Sequence, residues 1–240
     1  SSLDFEPHVL PANAVTSTDV MHDRQRIETS ALTHPSFRIL TAIAARVLHL
    51  SYLSISPLWE EVPVAMTQHL KDARVVICGP QGSGKSTFLR YLINRLLSIC
   101  PVVAVLDCDV GQPEFHASGM TGLHLITEPV LDLPHCHILQ PLRSYFLGDV
   151  TTKNEPLLFA SHVRALARLF DVVKPILEFT SDVQSQSQLA PHELERFEEI
   201  FARASEKWHS HVRPVVPLLV NTDGWVRSMG SDILGAVIDL

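Results

Sequence analysis

Several things this chain lacks narrow what it can be. Its four cysteines, Cys78, Cys100, Cys108 and Cys136, form no C-x-x-C pair. Neither a disulfide framework nor a paired zinc site is therefore expected, and the thiols read as the reduced thiols of an intracellular protein. His135-Cys136-His137 looks like half of a metal site, but no second ligand pair accompanies it, so a surface loop is the better reading. Positive charge is scarce: 19 Lys and Arg against 26 Asp and Glu leave a net charge of −7. That argues against a broadly basic nucleic-acid surface and leaves room for a local basic groove. No secretory signal pattern is visible. The apolar stretch from Arg38 to Ile55 is interrupted by Arg38, Arg46 and His49, so no membrane span is expected. With 240 residues and 46% hydrophobic content the chain can bury a sizeable core, enough for one large α/β domain and an appendage.

What is present is organised around Gly79-Pro80-Gln81-Gly82-Ser83-Gly84-Lys85-Ser86, which fits G-x-x-x-x-G-K-[ST]. Arg74 to Cys78 before it reads as a buried strand. Thr87 to Ile99 after it reads as a helix, with Phe88, Leu89, Leu92, Ile93, Leu96 and Leu97 on one face. A strand, a glycine-rich turn and a helix N-terminus make a phosphate cradle, because backbone N–H groups close around an anion that the helix dipole favours. Gly79 through Thr87 are then the nucleotide-binding residues. Lys85 would reach the β- and γ-phosphates and the Ser86 hydroxyl would hold Mg²⁺.

Val102 to Leu106 is a second strand, β-branched enough to be buried on both faces, and a right-handed crossover should join it to the first. At its C-terminal end lies Asp107-Cys108-Asp109-Val110-Gly111-Gln112-Pro113-Glu114-Phe115. Ligands in open α/β sheets bind outside such strand ends, so these acids should face the cradle. Asp107 and Asp109 are candidate metal ligands and catalytic acids, with turn capping as the competing role, more so for Asp107.

Elsewhere, residues 1 to about 35 read as an irregular arm, Phe37 to Leu53 as a packed helix, Ser56-Pro57-Leu58-Trp59 as a turn and Val62 to Leu70 as a short helix. Thr121 to Ile126 and His137 to Leu139 read as strands, Tyr145-Phe146-Leu147-Gly148 as the start of a loop, and Pro156 to Phe170 as a helix. Ser181 to Gln188 is a polar linker. Pro191 to Trp208 is an amphipathic helix with Leu194, Phe197, Ile200, Phe201 and Trp208 on its apolar side, offering surface for a partner. Val215 to Val220 is a core strand and Asp232 to Leu240 starts a helix. The expected fold is α/β, a P-loop NTPase-type mostly parallel sheet flanked by helices, with an irregular N-terminal arm. Residues 1–55 form that arm or the edge of a missing region, and 56–240 form one P-loop domain. Beginning at Ser1-Ser2 without an initiator methionine, the sequence reads as a fragment, C-terminally incomplete.

The phosphate loop, the Asp107 to Phe115 run, Tyr145-Phe146-Leu147-Gly148 and Asn221-Thr222-Asp223-Gly224-Trp225 occur in this order. Together they resemble the polynucleotide 5′-hydroxyl kinases of eukaryotic RNA processing. Gln112-Pro113-Glu114-Phe115 and Ile126-Thr127-Glu128-Pro129-Val130-Leu131 are similar to the nucleolar branch, which matures pre-ribosomal RNA. The resemblance covers about Pro57 to Leu240 and makes 56–240 a kinase domain with an insertion over 180–212. It implies transfer of the γ-phosphate of ATP, or GTP, to the 5′-hydroxyl of RNA, in the nucleus and nucleolus. It also implies a multi-subunit complex with an endoribonuclease that leaves such ends. By matching motifs, Lys85 and Ser86 meet phosphate and Mg²⁺, Asp109 is the general base or metal-water anchor with Asp107 beside it, Gln112 orders the metal shell or acceptor, and Trp225 stacks on a base. Thr151 falls where the family's loop meets substrate, but Val150-Thr151-Thr152 departs from its usual Thr-Ser. The family's arginine-bearing lid does not occur before Leu240.

Two other readings compete. One is a nucleotide-binding scaffold subunit of an RNA-processing complex with little turnover. The other is a different P-loop enzyme, a small-molecule kinase or a GTPase, although no N-K-x-D guanine motif is present. Trp225 is either a sequence-tolerant stacking platform or a core tryptophan below its loop. Arg143 and Lys153 are either contacts for an RNA backbone or solvated surface.

Overall fold

The computed structural model describes residues 32–34, 37–39, 55–68, 70, 73–131, 134–178, 189–207, 214–225 and 229–238. The chain divides into two units, Ser1–Ser54 and Ile55–Leu240. In the first unit the described residues form a small antiparallel ladder of β1 (Leu32–His34) and β2 (Phe37–Ile39), with Thr33 opposite Arg38. This corrects the expected helix from Phe37: Thr33, Phe37 and Ile39 favour extended chain, and Pro35 disfavours helix in the residue before it. The rest of that stretch lies outside the described residues.

The second unit is a five-stranded sheet with helices on both faces. In chain order it comprises α1 (Pro57–Gln68), β3 (Arg74–Ile77), α2 (Lys85–Leu96), β4 (Val103–Asp107), β5 (Met120–Ile126), β6 (Arg143–Phe146), α3 (Pro156–Leu177), α4 (Pro191–Lys207), β7 (Leu218–Asn221) and α5 (Met229–Ile238). The sheet order is β3-β7-β4-β5-β6. β3, β7 and β4 are parallel, whereas β5 and β6 are antiparallel additions. The inner parallel strands are apolar on both faces, as strands covered twice must be. Ala104, Leu106, Leu218 and Val220 pack towards Phe159, Val163, Leu166 and Phe170 of α3 and Phe197 and Ile200 of α4. Val103, Val105 and Leu219 pack towards Met66 of α1 and Leu89, Leu92, Ile93 and Leu96 of α2.

Several local expectations change. Ser56 to Trp59 opens α1 rather than making a turn, because Pro57 suits a first helical position. β7, not β4, is the neighbour of β3, so the crossover between those two skips a place. Tyr145 and Phe146, expected to start a loop, end the strand Arg143–Phe146, and His137 to Leu139 is not a strand; Leu139 donates to the Phe115 carbonyl at 2.8 Å. The linker 181–188 lies outside the described residues. Helix α4 turns the described part of its apolar side to the core: Phe197 and Ile200 are buried, with Leu194 and Phe201 packed against the same core, and Trp208 lies outside the described residues. Its start is pinned by Glu193, which accepts the Ala190 N–H at 2.8 Å in the manner of a capping box and takes both Arg143 Nε and Nη2.

Arg143 is thus held in an ion pair with Glu193 rather than left as solvated surface. Burial acts to raise the Glu193 carboxyl, but Arg143 and the Ala190 N–H outweigh it and hold the group below its ordinary value. The pair's contribution is therefore complete above about pH 4.3 and lost as pH falls through the depressed folded value. Arg143→Met should cost about 3–5 kcal/mol at neutral pH, because it leaves Glu193 buried without its partner. The difference in urea midpoint from the parent should shrink in acid. Equal midpoints at neutral pH would contradict this.

Candidate active site

Two strand directions bring four loops to one rim of the sheet. β3, β4, β6 and β7 end there, and the antiparallel β5 begins there, with Asp107 opposite Gly122 and Phe146 opposite Met120. Gly79 (φ 152°), Gly82 (φ 76°) and Gly84 (φ 90°) carry the backbone round the phosphate loop into α2. A Cβ at Gly79 would meet Ser83 Oγ at 2.9 Å. Lys85 Nζ bends over the loop and donates to the Gly79 and Pro80 carbonyls at 3.0 and 3.3 Å. Ser86 and Thr87 are half-buried at the start of α2, and the Ser86 hydroxyl has no hydrogen bond among the described residues.

Asp107 and Asp109 are brought together but are not equivalent. Asp107 is fully buried. One of its oxygens accepts Asn221 Nδ2 at 2.9 Å and the Asp109 N–H at 3.3 Å; the other accepts the Glu114 N–H at 2.7 Å. Burial raises its carboxyl, opposed by His116, Asn221 and the two backbone donors. With donors on both oxygens, Asp107 ties down the two ends of the loop that carries Asp109. Asp109 is half-buried and uses only Oδ1, which accepts the Gly111 and Gln112 N–H groups at 3.1 and 2.9 Å. Its Oδ2 has no bond among the described residues. Burial raises this carboxyl, and Asp107 and Asp223 raise it further against the pull of the two N–H groups. A half-buried carboxylate beside two other acids, with one oxygen uncommitted, suits a cation or a proton. Together with the Ser86 hydroxyl it fits the oxygen ligands that Mg²⁺ takes. The Gln112 side chain is exposed, and its backbone rather than its amide touches Asp109.

The loop after β7 closes over the cradle. Thr222 Oγ1 donates to the Ile77 carbonyl at 2.8 Å. A Cβ on Gly224 would meet the Gln81 backbone, N at 2.9 Å and Cα at 3.1 Å. Thr152, not Thr151, reaches this loop, through Oγ1 to Asp223 Oδ2 at 3.1 Å. Thr151 is half-buried in the turn that Asp149 Oδ1 holds. Trp225 is half-buried with Lys153 Nζ 5.2 Å from its ring centroid, a cation–π contact that places the lysine of the connection after β6 beside the indole.

Two contributors carried no role in the sequence. Asn221 sits directly beside Asp107 in the β4–β7 register, and the signal available was a polar residue closing each of two apolar strands. Glu114 is buried, accepts from His137 Nε2 at 2.8 Å and is ion-paired with Arg90, whose Nε lies 3.4 Å away, which ties the acid loop to α2. His137 is thereby accounted for, and no group of three potential metal ligands occurs among the described residues. No described helix is long and apolar enough to cross a membrane.

Gly224→Ala should shift the phosphate loop and weaken nucleotide binding by about 1–3 kcal/mol, the usual cost of overpacking, while the melting temperature changes little. Calorimetry with an ATP analogue tests this, and unchanged affinity would show that the two loops move independently.

Residues 79–175 match the family model described as the mRNA cleavage and polyadenylation factor CLP1 P-loop. Among curated proteins the chain is 33% identical over 162 residues to the polynucleotide 5′-hydroxyl-kinase GRC3 of Cryptococcus neoformans, covering 68% of this chain and 19% of that protein. It is 32% identical over 171 residues to the polynucleotide 5′-hydroxyl-kinase NOL9 of Arabidopsis thaliana, covering 70% and 38%. It is 32% identical over 193 residues to the human protein of the same name, covering 80% and 22%. The chain thus spans about a fifth to two fifths of the length of these relatives.

Proposed function

Because the chain is a relative of the polynucleotide 5′-hydroxyl kinases and carries their P-loop segment, we propose that it transfers the γ-phosphate of ATP to the 5′-hydroxyl end of RNA. The observation that carries this reading is the uncommitted Oδ2 of Asp109 on the same rim as Lys85. In the proposed reaction the 5′-hydroxyl oxygen bonds to the γ-phosphorus and the bond to the β,γ-bridging oxygen breaks. Asp109 takes the hydroxyl proton, and ADP leaves. Such transfer needs positioning and charge neutralisation more than covalent help, and a carboxylate base contributes typically about 10²- to 10⁴-fold. Lys85 would leave its carbonyl partners for the β- and γ-oxygens. The Ser86 hydroxyl would hold Mg²⁺, which when bound neutralises charge on those oxygens, while the free oxygen of Asp109 is kept for the proton. Asp107 acts through Asp109 as a positioning residue. The Trp225 indole receives the terminal base, with Lys153 beside it for the adjoining phosphate.

The wider setting is part of the same proposal. The likeness of Gln112 to Phe115 and Ile126 to Leu131 to the nucleolar branch supports a place in pre-ribosomal RNA processing in the nucleolus, beside an endoribonuclease that leaves 5′-hydroxyl ends. Since α4 buries its apolar side, that partner would dock elsewhere.

The direct test is whether label moves from γ-labelled ATP to a 5′-hydroxyl oligoribonucleotide. Nucleotide binding without transfer would favour the scaffold reading. Lys85→Ala should abolish transfer with the melting temperature nearly unchanged; near-normal activity would remove Lys85 from the site. Since Asp109 must be ionised to accept the proton and burial raises its carboxyl, kcat/KM should fall in acid with an apparent pKa above the roughly 3.9 of an ordinary aspartate. An acid limb that Asp109→Glu leaves unmoved would assign it to another group. Trp225→Ala should weaken RNA use by roughly 1–3 kcal/mol and ATP binding little. An unfolded variant would instead make Trp225 a core residue.

A further inference from the structure

Phe146 closes β6 on the rim that carries Asp109, yet it is 73% exposed. Exposure of a lone phenylalanine is ordinary; its seating is not. A Cβ on Gly119 would meet Phe146 Cε2 at 3.6 Å, and one on Gly148 would meet Cε1 at 3.4 Å. Both glycines have positive φ, 83° and 81°, and they bond to one another, Gly148 N to Gly119 O at 3.2 Å. The far end of the ring therefore rests on bare backbone, with no side chain of either glycine to shield it.

That backbone belongs to the acid loop. Gly119 donates to the Val110 carbonyl at 2.7 Å, and Leu147 donates to the Gly119 carbonyl at 2.8 Å. Val110 follows Asp109 directly. On the other side of the connection Gly111 lies against the Val150 carbonyl, which a Cβ there would meet at 3.0 Å. Phe146 is thus one ring contact and one hydrogen bond from the residue next to the candidate base. In the sheet, β6 is three strands from β7, about 14 Å at the usual spacing, so the strands that lead to Phe146 and to Trp225 lie on opposite sides of β4.

We propose that Phe146 is a second stacking platform for the RNA acceptor, taking a nucleobase other than the terminal one that Trp225 receives. The identity of this ligand rests on the function proposed above. An aromatic face accepts any base, so the contact is tolerant of sequence and adds affinity without a basic surface, which this acidic chain does not offer. Protein docking usually uses a contiguous apolar patch, whereas the ring's glycine neighbours supply only backbone. Val150 on the connection after β6 and Leu157 in the first turn of α3 are also exposed, which makes a docked protein the outcome that the test must separate.

The experiment compares the 240-residue chain with its Phe146→Ala and Phe146→Trp variants. Binding of a single-stranded 5′-hydroxyl hexaribonucleotide is measured by fluorescence anisotropy without ATP, beside a nucleoside 3′-phosphate in competition. Phe146→Ala should lose about tenfold in affinity for the hexanucleotide, and much less for the mononucleotide. Phe146→Trp should keep the affinity, and the introduced indole should be quenched by RNA. Equal losses on both ligands, wild-type affinity in Phe146→Ala, or no RNA binding by the parent would each overturn the proposal. If RNA binding depends on Phe146 but no label moves from ATP, the platform stands and the kinase reading fails. If label moves and Phe146→Ala binds as the parent does, the platform alone fails.

Discussion

The site depends on a buried carboxylate. Asp107 lies at the end of the central strand with no exposure to solvent, where an unpaired charge would cost several kcal/mol. Three donors offset that cost: the Asn221 amide, the Asp109 N–H and the Glu114 N–H. They come from both ends of one loop and from the neighbouring strand, so satisfying Asp107 fixes the loop to the sheet. Glu114 carries the constraint on through His137 and Arg90. Arg90 belongs to the helix that begins at Lys85, so the acid loop and the phosphate cradle are tied through one polar network beneath the rim. A half-satisfied network of this kind would be worse than an apolar core.

The sheet's change of direction matters for the same reason. β5 starts at the rim and β6 returns to it, so an antiparallel hairpin delivers the 146–153 connection to the acid loop without a long crossover. Gly111 under the Val150 carbonyl and Gly224 against Gln81 are two places where loops approach so closely that a side chain would force a neighbour to shift. The rim is thereby closed from β3 to β6 by backbone contacts.

The P-loop, its strand and its helix were legible because glycine spacing and helical periodicity act locally. β4 was legible from its β-branched run, and the pairing of Asp107 with Asp109 from their place at its end. What sequence did not separate was their environments: burial of Asp107 follows from Asn221, which is more than a hundred residues away in the chain and adjacent only through the β4–β7 register. The apolar side of α4 was read correctly, but its use was not, since periodicity shows that a face is apolar and not what covers it. Thr152 took the contact with the Asp223 loop while Thr151 stayed within its own turn, a one-residue distinction set by how Asp149 folds that turn.

The central claim is a division of labour in which Asp107 holds the loop and Asp109 meets the substrate. It is tested most directly by comparing the melting temperature and the single-turnover rate of Asp107→Asn with those of Asp109→Asn. An asparagine at position 107 turns one acceptor into a donor facing donors, at a cost of about 1–3 kcal/mol, so this variant should lose stability and rate together. The Asp109→Asn variant should lose rate alone and keep its melting temperature and ATP affinity. A stable, slow Asp107→Asn beside a fully active Asp109→Asn would contradict the account and reverse the two roles.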